Sequence, residues 1–92
     1  MESREALCKQ LVFQAEIRSM AEMERILGRF LAEQRPHLTA EICQRLLLLL
    51  QHSDLDLLDW LSGLAEPPEG VDRALLSWIG RSVEQNRRLG PC

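Results

Sequence analysis

Apolar positions along this chain recur at helical spacing, and no stretch sustains the alternation of a strand. Leu7, Leu11 and Ala15 stand four apart and predict one stripe of a first helix, from about Ser3 to Ile17. Met20, Met23, Leu27 and Phe30 predict a second helix, from about Met20 to Glu33, with Glu22, Arg25 and Arg29 on its polar face. Pro36 ends it. Thr39 is a good N-cap for a third helix over Ala40 to His52. Its Ile42, Cys43, Leu46, Leu47, Leu49 and Leu50 cover most of the circumference, the pattern of a helix in the middle of a bundle.

A fourth helix starts at a Ser53 or Asp54 cap and ends at Gly63, with Leu57, Leu58, Trp60, Leu61 and Leu64 on its apolar side. Pro67-Pro68-Glu69-Gly70 reads as a turn. A fifth helix follows from about Val71 to Arg88, burying Leu75, Leu76, Trp78, Ile79 and Val83 and stopped by Gly90-Pro91. Tyrosine is absent and valine stands only at 12, 71 and 83, so strand formers are scarce. The expected fold is all-α, a compact five-helix bundle forming one small domain over residues 1–92.

Composition narrows the function classes. With 92 residues and 46% hydrophobic content the chain can fold as one modest core. The net charge of −3 is unevenly spread. Residues 53–72 carry Asp54, Asp56, Asp59, Glu66, Glu69 and Asp72 and no base. That argues against a nucleic-acid binder, although Arg81, Arg87 and Arg88 cluster near the end. Cys8, Cys43 and Cys92 have neither disulfide nor zinc spacing; reduced thiols are expected, with Cys43 in the core and Cys92 exposed. His37 and His52 lack companion ligands, so no metal site is expected. Glu2 and Glu5 stand where a signal peptide would be positive, and the longest apolar run, Leu46 to Leu50, is far short of a membrane span. A bacterial cytoplasmic protein without membrane insertion is the expectation. No phosphate-binding glycine loop and no nucleophile constellation is present, so no catalytic residue is assigned.

Two short blocks carry more information than the composition. The first is Arg18-Ser19-Met20-Ala21-Glu22-Met23-Glu24. Ser19 and Glu22 have the spacing of a capping box, which places the block at a break between two helices and lets Arg18 project from the turn. The second is Asp54-Leu55-Asp56-Leu57-Leu58-Asp59-Trp60-Leu61. In order and spacing the two resemble the Arg-Gly-Met-x-Glu-x-Asp and Asp-x-Asp-Leu-x-x-Trp-Leu segments of the SdhE family, the flavinylation factors of succinate dehydrogenase. The resemblance covers about residues 10–90 and departs at Ser19, where the family has glycine.

The resemblance implies the same five-helix fold and a non-enzymatic assembly factor. Such a factor promotes covalent attachment of FAD to the flavoprotein subunit of succinate dehydrogenase or fumarate reductase. It implies a partner-binding surface of Arg18, Ser19, Met20, Glu22, Glu24 and Asp56, with FAD belonging to the client and no cofactor held stably by this chain, which acts as a monomer. The rival reading is a general protein-interaction module, antitoxin-like or regulatory, whose partner is not a flavoprotein.

Overall fold

The computed structural model describes residues 3–89, with side chains described up to residue 85. Helices α1 (Arg4–Glu16), α2 (Ala21–Gln34), α3 (Ala40–Leu49), α4 (Asp54–Ser62) and α5 (Arg73–Leu89) follow in order, with a single 3₁₀ turn, Arg35–His37, around Pro36. Among the described residues there is no strand, so the all-α expectation holds. The expected exposure of Cys92 and the Gly90-Pro91 stop lie outside the described residues, as do the side chains of Arg87 and Arg88.

Each start has a local cause. Ser3 caps α1 by accepting the Ala6 N–H, Thr39 caps α3 from the Ile42 N–H, and Ser53 caps α4 from the Asp56 N–H. Asp72 accepts the Leu75 N–H at 3.1 Å at the start of α5 and also takes a two-pronged hydrogen bond from Arg45 of α3, at 2.7 and 3.0 Å. The Arg45 bonds lower the Asp72 pKa; burial opposes them, and the Leu75 N–H and the Arg45 charge add to the lowering. Gly63 ends α4 at φ 81°, a left-handed conformation that costs glycine nothing.

Helix α1 packs on α2 and α3, while α5 packs on α4 and α2. One continuous core results, centred on Leu7, Leu11, Met23, Leu27, Phe30 and Leu46. Trp78 lies half-buried at its edge, its ring edge-on to Phe30 with centroids 5.1 Å apart.

Two expectations are corrected. Leu64 is 80% exposed, because it follows the Gly63 turn and no longer belongs to the helix. Helix α3 is not enclosed on all sides: Cys43, Leu46 and Leu49 are buried, but Leu48 is 63% exposed. Its neighbours approach from one side, so apolar composition all round does not bring burial all round. The expectation of free thiols, with Cys43 in the core, holds for Cys8 and Cys43, whose sulfurs lie 3.8 Å apart. Burial, reinforced by the Cys8 contact, pushes the Cys43 thiol up to about 11.

Candidate functional site: a clasp between two motifs

The turn joining α1 to α2 and the first residue of α4 lie against each other. Arg18, just past the end of α1, turns its guanidinium inward. It donates to Asp54 Oδ1, to the Leu50 carbonyl at 2.7 Å and to the His52 carbonyl at 2.8 Å. Leu50 is the C-cap of α3, so the guanidinium meets carbonyls that the helix end and the following turn leave open, at the negative end of the helix. One side chain thereby ties the α1–α2 turn to the end of α3 and the beginning of α4.

Asp54 completes the clasp from the other side. Its Oδ2 accepts the Ser19 hydroxyl at 3.0 Å and the Met20 N–H at 2.9 Å. The carboxylate therefore stands at the positive ends of two helices, its own α4 and the neighbouring α2. The Arg18 and Asp54 side chains are 9% and 3% exposed. Burial pushes the Asp54 carboxyl up, but the bonds from Arg18, Met20 and Ser19 and the Arg18 charge outweigh it and hold the group below the usual carboxylate range. Among the described residues no buried side-chain polar atom lacks a partner.

The local reading of the turn is corrected by this geometry. Ser19 and Glu22 do not form a capping box: Met20 is the N-cap of α2, with no side-chain cap bond, because the Ser19 hydroxyl is drawn to Asp54. Nor does Arg18 project from the turn. A buried carboxylate and two open carbonyls outcompete solvent for its five donors. Asp54 is the residue that the sequence reading undervalued, seen there only as a possible cap. The signal was the resemblance itself, since both matched blocks begin at the two ends of this ion pair.

Of the other residues of the expected surface, Ser19 and Met20 join the clasp through a hydroxyl and a backbone N–H, and the three acids fall outside it. Ser19 is exposed apart from its inward hydroxyl, Met20 is half-buried against the core, and Glu22, Glu24 and Asp56 are exposed. Among the described residues those three carboxylates take part in no ion pair. Serine in place of glycine strains nothing, as no described residue other than glycine has a positive φ. Among the described residues no group of three or more His, Cys, Asp or Glu converges as metal ligands would, and no helix is long and apolar enough to cross a membrane.

Searches of curated proteins and of solved structures gave no match. A family model described as flavinator of succinate dehydrogenase matches residues 9–83, a span that runs from within α1 into α5 and includes both halves of the clasp. The chain belongs to that family, the assembly factors that promote attachment of FAD to succinate dehydrogenase.

Proposed function

We propose that the chain binds the flavoprotein subunit of succinate dehydrogenase, or of the related fumarate reductase, before its flavin is covalently attached. The contact surface is the outer side of the clasp: Glu22 and Glu24 on α2, Asp56 on α4, and the exposed edge of Ser19 and Met20 between them. The observation that carries this reading is the division of the two motifs. Arg18 and Asp54 consume their charges on each other and on backbone, while Glu22, Glu24 and Asp56 stay in water with no internal ion pair among the described residues. Structure therefore accounts for the first pair and leaves the acids available to a basic patch on a partner.

In this reading Arg18 is a positioning residue. It holds the turn in shape so that the acids are presented on a rigid edge, and it meets the client only through them. The chain supplies no reacting group. Binding favours the client conformation in which a histidine and the flavin are aligned, and bond formation then proceeds within the client. FAD stays with the client throughout, and the factor acts as a monomer.

Flavin fluorescence of the denatured client, measured in cells with and without this protein, tests the reading. Co-purification from the same cells identifies the partner. A fluorescent client band that depends on Glu22 and Glu24 supports the proposal. Capture of a partner that is not a flavoprotein, with unchanged client fluorescence, favours the general interaction module.

A further inference from the structure

A groove of about 560 Å³ runs between α1 and α2 on the face beside the motif turn. Leu11, Ala15, Leu31 and Leu38 contribute to its lining from the core side. Val12 of α1, 38% exposed, and Gly28 and Ala32 of α2 contribute from the walls. Alongside it α2 extends 14 residues, about 21 Å at the helical rise.

Gly28 is the informative wall residue. A glycine within a helix destabilises it by about 0.5–1 kcal/mol relative to alanine. Among the described residues nothing fills the place of the missing side chain, since a Cβ built there meets nothing within 4 Å. The space lies on the groove side of α2.

The rim is electrically polarised. Glu16 and Glu24, with Arg25 beside them, stand at the end nearest the turn and leave that end a net negative charge. Arg35 stands at the far end, and Arg4 reaches across to the Arg35 and Leu38 carbonyls there. Helices α1 and α2 run in opposite directions, so their backbone dipoles oppose each other and the side chains set the polarity. A second copy of this chain offering the same groove would set concave against concave and leave a void. An extended strand would place unpaired backbone N–H and C=O groups on an apolar lining. A helix brings its backbone already bonded, a convex row of side chains, and a dipole that fits the rim.

We propose that this groove receives an amphipathic helix of the client, lying parallel to α2 with its N-terminal end over Glu16 and Glu24 and its C-terminal end toward Arg35. The proposal rests on the reading of the chain as a client-binding factor. It extends the contact from the turn along the whole length of α2.

The test is a titration of the apo flavoprotein subunit of succinate dehydrogenase with wild type, Gly28→Ala, Gly28→Trp, Val12→Asp and Glu22→Lys, each first checked by thermal melting. The space at the Cβ position of Gly28 is open, so the tryptophan variant starts its side chain without a clash on the groove side, and the melting check shows that it folds. Gly28→Trp and Val12→Asp are expected to weaken binding by on the order of tenfold or more, with Gly28→Ala close to wild type. A photoreactive phenylalanine analogue at position 28 is expected to cross-link to one helical segment of the client. If Gly28→Trp and Val12→Asp bind like wild type while Glu22→Lys is impaired, the groove proposal is overturned and the client reading stands. A cross-link to a second copy of this chain, or to a strand of the client, also overturns it. If wild type itself does not bind the subunit, the client reading falls and the groove proposal falls with it.

Discussion

Without its guanidinium at position 18, the Asp54 carboxylate would keep its burial and lose its counter-charge, and two backbone carbonyls at the end of α3 would lose their donors. Breaking a buried pair from one side costs on the order of 3–5 kcal/mol. Arg18→Ala is therefore expected to lower stability by about that amount in a urea titration, a large share of what a domain of this size has. Lysine at 18 would keep the charge but not the three-way fork, so Arg18→Lys should recover only part of the loss. Ser19→Gly removes one hydrogen bond to Asp54, worth about 1 kcal/mol. It should leave client binding intact, because the hydroxyl points into the clasp and not toward the exposed acids. At this scale the sequence was legible in kind but not in direction. A capping box at Ser19 and an outward Arg18 followed from local spacing alone. What decides the matter is Asp54, 36 residues from Arg18, and local spacing carries no information on a partner that distant.

The helices themselves were far easier to read, since their spacing, their Ser3, Thr39 and Ser53 caps and the Gly63 stop are all local signals. Burial at their edges was not. Leu48 and Leu64 look like core residues by type and are exposed, because which side of a helix is covered depends on where its neighbours arrive. The joints between helices carry a pH dependence. Asp54 joins α2 to α4 and Asp72 joins α3 to α5, and both have lowered pKa values in the folded chain. A carboxylate with a lowered folded pKa contributes stability that is fully present above its unfolded pKa, about 4, and is lost as pH falls through the folded value. The melting temperature should thus be level above about pH 5 and fall steeply below about pH 4. Asp54→Asn should start lower and show a shallower acid slope, because the most enclosed of the two titrations has been removed. Along α2, Gly28→Ala should raise stability by about 0.5–1 kcal/mol, since the space beside Gly28 is open. A loss of stability there would mean that an internal contact depends on the glycine.

Across the whole molecule, the clasp brings the α1–α2 turn, the end of α3 and the start of α4 to one edge, and the helices that start there, α2 and α4, carry the exposed Glu22, Glu24 and Asp56. The family match spans both halves of that edge. The fold class was evident from helical spacing, and the family from two short blocks in the right order. Which motif residues hold the fold and which face outward required the three-dimensional arrangement. The division between them is the central claim, and one paired measurement tests it most directly: melting temperature and client flavinylation rate for Arg18→Ala beside the double variant Glu22→Lys with Glu24→Lys. The exposed acids make no ion pair among the described residues, so the double variant should melt within a few degrees of wild type and flavinylate at least about tenfold more slowly. Arg18→Ala should melt far lower, with its activity recovering at temperatures where it remains folded. A double variant that flavinylates at the wild-type rate with client limiting, or an Arg18→Ala protein that melts like wild type, would contradict the account.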